Sequence, residues 1–231
     1  MEFVKRKSIF LMLCGNNCNM NIFIIDFDDT LFDTFGYKHA RLQALETLGV
    51  SKDVFWKTYK EARKDETGAM VYSDRRHAQI LAQENFDEEK VFSLLQSVNK
   101  RLKDFVYPDT FLFLKTLKKK NIPMILLSLG DPAMQELKVK GSGVDNYFEH
   151  MFMVEDTKEH ILKKILAHYS SEKAWFINDK VLETQLLHKK FPLITPVLHM
   201  SPGIEKQQYI ESGLPYFSTL TEILEYVESH P

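Results

Sequence analysis

Short apolar runs that alternate with amphipathic segments are the main pattern along this chain. Continuous apolar runs of this length are typical of buried parallel strands, and they occur at residues 21–25, 123–127, 174–177 and 193–198. A weaker run covers residues 150–154. Apolar residues recur at helical spacing in residues 110–120, 158–169, 181–190 and 218–228. The alternation predicts an α/β fold in which helices cover both faces of a parallel sheet.

The segment from residue 35 to 106 has a different pattern, because it contains no convincing strand and no proline. All eight prolines lie at Pro108 or later, so no proline interrupts a helix in this segment. Apolar spacing predicts about four helices, near residues 38–48, 52–64, 74–83 and 88–103. Ser51 and Ser73 stand where helix N-caps belong. Because roughly 70 residues of helix exceed an ordinary connection between strands, we predict an inserted helical module at 35–106 and an α/β core at 21–34 and 107–231.

Composition excludes some classes of function. Lys and Arg number 30 and Asp and Glu 32, a net charge of −2, which argues against nucleic-acid binding through bulk charge. The sequence has no apolar stretch long enough to cross a membrane, so we expect no membrane partner. Cys14 and Cys18 are too few for a disulfide scaffold, and we expect residues 1–20 to be a poorly ordered extension. Without a convincing targeting signal, we expect a cytoplasmic location.

Three carboxylates follow the first apolar run directly: Asp26, Asp28 and Asp29, in the sequence D-F-D-D-T-L at residues 26–31. In an open α/β sheet, ligands bind beyond the carboxyl ends of the strands. Acids so close together repel one another unless a cation or a shared proton neutralises them. Their hard oxygen atoms suit Mg²⁺. The alternative is a polar loop with a capping aspartate.

Further polar residues stand after later strands or at the start of a helix. Ser128 ends the second predicted strand, Lys158 begins a later helix, and Asp179 follows another strand with Glu183 four residues on. Each has a structural alternative, since Ser128 and Asp179 could cap helices and a lysine is more often on the surface. Two lysines further along the same helix are rivals of Lys158: Lys163 and Lys164.

Together these motifs resemble those of the haloacid dehalogenase-like hydrolase superfamily, mainly its phosphatases. Residues 26–31 match the superfamily's first motif, a strand followed by D-x-D-x-T-L, and the other motifs occur in the same order. The resemblance implies a Rossmann-like core with a parallel sheet, and an all-helical cap between the first two motifs. It also implies that Asp26 is the nucleophile that forms an aspartyl-phosphate and that Asp28 is the general acid/base.

The remaining roles are likewise implied by the resemblance. Phosphate would be bound by Thr30, Ser128, Leu129 and Lys158, of which Ser128 and Lys158 count among the catalytic residues. Mg²⁺ would be held by Asp26, the backbone carbonyl of Asp28, and Asp179, with Glu183 in support. Asp29 stands where many members have glycine and is not assigned a catalytic role. Residues of the cap that we consider for substrate selection are Tyr37, His39, Arg75, Arg76 and His77.

The resemblance therefore implies a Mg²⁺-dependent phosphatase that acts on a small phosphorylated metabolite. Asp28 disfavours the dehalogenase branch, which does not keep that aspartate. A phosphomutase is an alternative, because Asp28 could return the phosphoryl group to another hydroxyl. Asn178 departs from the usual glycine or aspartate, which motivates a catalytically weak binding or regulatory member as a further alternative. Phosphonate cleavage would need a cap lysine that forms an imine, from Lys38, Lys52, Lys57 and Lys60.

Overall fold

A parallel sheet forms the centre of the protein in the computed structural model, which describes residues 21–63, 71–169 and 173–230. Within these residues the sheet has six strands in the order β3-β2-β1-β4-β5-β6, and every neighbouring pair is parallel. The strands are β1 (Ile22–Ile25), β2 (Met124–Leu129), β3 (His150–Val154), β4 (Ala174–Asn178), β5 (Ile194–His199) and β6 (Tyr216–Phe217). The expected α/β fold is confirmed, and the weak run at 150–154 is the strand β3.

Ten helices surround or extend this sheet in the described residues. The first four follow β1 in succession: α1 (Thr34–Glu46), α2 (Lys52–Ala62), α3 (Asp74–Gln83) and α4 (Glu88–Asn99). The others are α5 (Thr110–Lys119), α6 (Pro132–Ser142), α7 (Glu159–His168), α8 (Val181–Lys190), α9 (Lys206–Ser212) and α10 (Leu220–Ser229). Short 3₁₀ segments occur at Leu102–Phe105 and Asp145–Tyr147. The described part of the chain has no helix with the length and apolar character of a membrane span.

The central strand β1 is buried on both faces, and its residues alternate between two hydrophobic clusters. Ile22 and Ile24 pack in a cluster with residues of α7 and α8. Phe23 and Ile25 belong to a second cluster with residues of α5, α6 and α10. This alternation follows from the two-residue period of a strand. It holds β1 rigidly between two helical layers, so the residues that follow it begin from a fixed position.

The helices α1 to α4 have a hydrophobic cluster of their own, which includes Leu45, Phe55, Leu81 and Leu95. The N-caps at Ser51 and Ser73 are confirmed, since each side chain accepts a hydrogen bond from the backbone of the first turn. The first helix begins at Thr34 rather than near residue 38, because the Asp33 carboxylate accepts a hydrogen bond from the Gly36 N–H at 2.7 Å.

Several elements differ from the sequence-based expectation. The helix predicted over 88–103 ends at Asn99, and a 3₁₀ segment follows it. The C-terminal helix has Thr219 as its N-cap, with Glu222 completing a capping box, instead of beginning at residue 218. No helix was expected at α6 or α9, nor a strand at β6. The predicted N-terminal extension at 1–20, with Cys14 and Cys18, lies outside the described residues.

Candidate active site

Asp26 follows β1 at the carboxyl edge of the sheet and is almost completely buried. Its Oδ1 accepts a hydrogen bond from Lys158 Nζ at 2.7 Å. Lys158 immediately precedes α7 and is 1% exposed, and its Nζ also lies 3.0 Å from Glu183 Oε2 and 3.0 Å from Asn178 Oδ1. Burial disfavours a charged lysine, but Asp26 and Glu183 raise the pKa of Lys158 above its ordinary value. The structure thus places a positively charged lysine against the carboxylate of Asp26.

Asp179 is the second buried carboxylate at this edge, directly after β4, the neighbour of β1. Burial and the negative charge of Asp26 raise the pKa of Asp179 to about 8. Burial also raises the pKa of Asp26, despite the attraction of Lys158. Asp179 Oδ1 is buried without a hydrogen-bond partner among the described residues. An unpartnered buried carboxylate oxygen beside a second carboxylate is the arrangement that a cation would neutralise.

The four carboxylates considered for Mg²⁺ do not converge as side chains. In the described ranges, no three His, Cys, Asp or Glu side chains are placed together so that they could hold a metal ion. Lys138 holds the carboxylate of Asp28, and Lys158 holds that of Glu183. The pair Asp26 and Asp179 nevertheless fits Mg²⁺, which is commonly held by one or two carboxylates together with water and a substrate phosphate.

Two hydroxyl groups at the same edge of the sheet are also buried and unpartnered among the described residues: Thr30 Oγ1 and Ser128 Oγ. Ser128 lies in β2, next to β1, and Leu129 ends that strand. Buried hydroxyl groups normally have hydrogen-bond partners. These two side chains are therefore available to a ligand that brings its own oxygen atoms.

Asp28 is held more tightly than the sequence indicated. Its carboxylate accepts hydrogen bonds from Thr34 Oγ1 at 2.6 Å, from Gln135 Nε2 at 2.7 Å and from Lys138 Nζ. Burial alone raises the pKa of Asp28, but Lys138 and these hydrogen bonds outweigh it and hold the pKa well below its ordinary value. Asp28 is therefore a firmly ionised carboxylate.

The residues that bind Asp28 are not indicated by the apolar pattern of the sequence. Gln135 and Lys138 lie in α6, which was not predicted, and Thr34 begins α1. A local signal for α6 exists, since Asp131 and Pro132 form a typical helix start and Gly143 ends the helix with a positive φ of 81°.

Asn178, the departure from the family pattern, has a definite structural role. Its Oδ1 accepts a hydrogen bond from Lys158, while its Nδ2 donates to Glu183 Oε2 and to Thr184 Oγ1, both at 2.9 Å. An aspartate at this position could not make the two donations. The amide thus orients Lys158 and Glu183 without adding a third buried negative charge beside Asp26 and Asp179.

Asp29 occupies a left-handed backbone conformation with φ 55°, which explains why glycine suits this position. Its backbone carbonyl accepts a hydrogen bond from His199 Nδ1 at 3.0 Å, and its carboxylate accepts one from the Phe35 N–H. Burial and the nearby Asp28 raise its pKa to about 6. The contacts of Asp29 stabilise the loop that carries Asp26 and Asp28.

A pocket of about 560 Å³, including its open mouth, lies between this edge of the sheet and the helices α1 and α2. The core contributes Asp28, Leu129, Gly130, Asp131, Met134, Gln135 and Lys138; the helices and the residues beside them contribute Thr34, Tyr37, Lys38, Arg41, Tyr59, Arg63 and Tyr72. Among the residues considered for substrate selection, Tyr37 lines this pocket, whereas Arg75 pairs with Glu88 and Glu89. His77 is buried and shares hydrogen bonds with Thr58 and Tyr72.

A family model for haloacid dehalogenase-like hydrolases matches residues 20–181, which contain the candidate residues from Asp26 to Asp179. The chain belongs to the haloacid dehalogenase-like hydrolase family. In this haloacid dehalogenase-like hydrolase, as the resemblance implied, the first motif lies directly after the central strand. A search among curated proteins gave no match.

Solved structures share the fold of this haloacid dehalogenase-like hydrolase. A protein from Burkholderia xenovorans, assigned to the haloacid dehalogenase-like hydrolases, is 19% identical with a TM-score of 0.67, and the match covers 89% of this chain and 95% of that one. A dehalogenase is 15% identical with a TM-score of 0.65, covering 90% and 96%. A protein from Thermotoga maritima assigned as a β-phosphoglucomutase is 18% identical with a TM-score of 0.62, covering 91% and 99%. At these identities the likeness shows the fold but not the reaction.

Proposed function

We propose that this hydrolase is a Mg²⁺-dependent phosphatase that acts on a small phosphorylated metabolite through an aspartyl-phosphate at Asp26. The observation that carries the proposal is the set of unused polar groups around the Asp26–Lys158 pair. Thr30, Ser128 and Asp179 each have a buried side-chain oxygen with no partner among the described residues. Hydroxyl donors and an unpaired carboxylate together match a phosphate accompanied by a cation.

Asp26 has the surroundings of a nucleophile. Lys158 fixes its Oδ1, which leaves Oδ2 to attack phosphorus in line with the departing oxygen. The P–O bond to Asp26 forms as the bond to the leaving oxygen breaks, and Lys158 offsets the negative charge that two anions bring together. Glu183 and Asn178 keep the lysine in place, because both contact Lys158 Nζ.

The residues that would hold Mg²⁺ are the carboxylates of Asp26 and Asp179 and the backbone carbonyl of Asp28. When bound, the ion would neutralise charge on the phosphoryl oxygens. Thr30, Ser128 and the end of β2 at Leu129 would bind and orient those oxygens from the protein side.

Asp28 is best suited to the second half of the reaction, the hydrolysis of the aspartyl-phosphate. A firmly ionised carboxylate can accept a proton from the water that attacks the aspartyl-phosphate. Because Lys138 disfavours protonation of Asp28, the same group is a weak proton donor to the leaving oxygen in the first half. We therefore expect the fastest turnover with leaving groups that depart without a proton, such as phenolates.

Phosphate release from p-nitrophenyl phosphate with Mg²⁺ tests this function directly. We expect turnover by the unaltered protein and by Asp53→Asn, an exposed control in the first turn of α2. Asp26→Asn should release no phosphate, because the amide cannot form the intermediate, and a chelator of Mg²⁺ should stop the reaction. Equal release by Asp26→Asn and the unaltered protein would refute the nucleophile assignment.

The alternatives are distinguished by measurements on other phosphoesters. A phosphomutase would convert a sugar phosphate into its isomer with little release of inorganic phosphate, while still requiring Asp26. A binding or regulatory member would release no phosphate from any of a broad panel of phosphoesters.

A further inference from the structure

The pocket beside the site contains four cationic side chains, of which two are already paired. Arg41 contacts Asp74, and Lys138 contacts Asp28. Lys38 and Arg63 differ, because neither has a hydrogen bond or ion pair with an acid anywhere in residues 21–63, 71–169 and 173–230. Two unpaired cations in one partly buried pocket are costly to keep close together unless an anion joins them.

The two side chains share one aromatic neighbour. Lys38 Nζ lies 5.9 Å from the centroid of the Tyr59 ring, and the guanidinium carbon of Arg63 lies 5.8 Å from it. Contact with a ring face holds a cation in place without neutralising it. Burial lowers the pKa of Lys38, and the like charge of Arg63 adds to this effect against the attraction of Asp28 and Asp29. The Tyr59 ring thus holds both cations in position, and Asp28 and Asp29 attract Lys38 without forming an ion pair with it in the described residues.

The location of Lys38 and Arg63 in the pocket indicates which part of a bound substrate they would face. Asp28, two residues after Asp26, lines the core side of the pocket, while Lys38 and Arg63 line the side of the inserted helices. Asp26 itself does not line the pocket, so a phosphomonoester bound at Asp26 would reach these two cations by extending its leaving part past Asp28.

We propose that Lys38 and Arg63 form a second anion subsite, which binds a carboxylate or phosphate on the leaving part of the substrate. The inference rests on the proposed function for the place of the first phosphate. The planar fork of Arg63 can hold two oxygens of the anion, and Lys38 adds a point charge. The substrate class is accordingly a phosphomonoester with a second anionic group, rather than a neutral sugar or alcohol phosphate.

Binding of phosphonates that cannot be hydrolysed tests the subsite separately from catalysis. Isothermal titration calorimetry in the presence of Mg²⁺ would compare phenylphosphonate with 4-carboxyphenylphosphonate and benzene-1,4-diphosphonate. We expect the unaltered protein to bind at least one of the doubly substituted ligands about tenfold more tightly, as expected for charge-assisted hydrogen bonds. The two ligands distinguish a carboxylate subsite from a phosphate subsite.

Substitutions test whether Lys38 and Arg63 cause the preference for the doubly substituted ligands. Lys38→Met and Arg63→Met should each bring the affinity ratio close to one, whereas Lys38→Arg should keep most of the preference. Lys60→Met is the matched control, because Lys60 is exposed on α2 and does not line the pocket. Unchanged thermal midpoints would verify that each variant is folded.

A ratio of one in the unaltered protein, the absence of binding by all three ligands, or a preference that survives both methionine substitutions would overturn the subsite. A preference that depends on Lys38 and Arg63 in a protein that releases no phosphate from any ester would support the subsite and refute the phosphatase. The two proposals therefore fail in distinguishable ways.

Discussion

At the residue scale, Asp28 depends on donors from two separate elements. Thr34 comes from the start of α1, and Gln135 and Lys138 come from α6. Lys138 also lies over the rings of Phe27 and Phe32, at 5.6 and 5.8 Å from their centroids. The lysine is 7% exposed, so water does little to screen its charge from Asp28. The protonation of Asp28 is therefore controlled mainly by this one residue.

Replacing Lys138 by methionine should change how the rate depends on the leaving group. In the unaltered protein, kcat should fall steeply as the pKa of the leaving phenol rises, because Asp28 is a weak proton donor. In Lys138→Met the pKa of Asp28 should rise, so the slope should become shallower. A series of substituted phenyl phosphates measures both slopes.

The same substitution should also lower stability. Removing the cation from a buried pair leaves the carboxylate uncompensated, and we expect a loss of about 2 kcal/mol, less than for a fully buried pair because the Asp28 side chain is 22% exposed. Lys140→Met, in the same helix but exposed and paired with Glu136, is the control. Identical leaving-group slopes in Lys138→Met and the control would contradict the role assigned to Lys138.

His77 gives a prediction about pH and stability. Burial, and to a smaller extent the charge of Arg41, lowers its pKa to about 3, whereas an unfolded histidine titrates near 6.5. Between these values the unfolded chain binds more protons than the folded one, so the contribution of His77 to stability falls as the pH falls.

Urea unfolding of the unaltered protein and His77→Gln, measured from pH 7 to pH 4.5, isolates this effect from other titrating groups. The stability advantage of histidine over glutamine should shrink by about 2 to 3 kcal/mol over that range. A difference that stays constant with pH would show that His77 is not held neutral.

At the element scale, apolar spacing predicted most of the sheet and the helices that pack on it, because those elements bury apolar side chains. Helix α6 was missed for the opposite reason. Its buried positions include Gln135, Lys138 and Ser142, so the face that points inward is largely polar and gives no apolar period. The polar residues that complete the site are therefore also the reason why apolar spacing does not predict this helix.

The backbone before α6 requires glycine at residue 130. A Cβ on Gly130 would lie 2.5 Å from Gln135 Nε2, and the φ of Gly130 is +154°. Gln135 Nε2 is held by the Leu129 carbonyl at 3.0 Å as well as by Asp28, so it cannot move aside without losing these bonds.

Gly130→Ala should therefore displace Gln135 from Asp28. We expect about a tenfold loss of phosphatase turnover and a loss of about 1 to 2 kcal/mol in stability, measured by phosphate release and by urea unfolding. Gly203→Ala is the control, since a Cβ there meets no atom within 4 Å. Equal activity in both variants would show that the Gln135 contact is dispensable.

At the scale of the whole molecule, the sheet order places the motifs together. Asp26, Ser128 and Asp179 come from the ends of β1, β2 and β4, and β1 lies between the other two strands. Their common edge could be inferred from a parallel sheet and the motif order. The family resemblance implies that Lys158 neutralises charge on Asp26, 132 positions away, but nothing in the sequence indicates the contact of Asp28 with Lys138, which joins residues 110 positions apart. Only the packing of α6 and α7 against the sheet determines which lysine reaches which aspartate.

The same packing buries two carboxylates, Asp26 and Asp179. When no metal ion is bound, their burial lowers the free energy of unfolding. Burial raises the pKa of both groups, and the negative charge of Asp26 raises that of Asp179 further, so each favours a neutral form or a cation beside it. Binding of Mg²⁺ would remove that cost and so add to the free energy of unfolding. At a Mg²⁺ concentration one hundred times the dissociation constant, the gain is about 2.7 kcal/mol.

Thermal unfolding with and without Mg²⁺ tests this account in the unaltered protein, Asp179→Asn and the exposed control Asp156→Asn. Without Mg²⁺, Asp179→Asn should melt at a higher temperature than the unaltered protein, because it removes a buried carboxyl group that must either take up a proton or repel Asp26 in the folded state. With Mg²⁺, the unaltered protein and the control should gain several degrees and Asp179→Asn should gain almost nothing. An equal gain in all three proteins would place the ion elsewhere, because a ligand stabilises a fold only through groups that it contacts in the folded state.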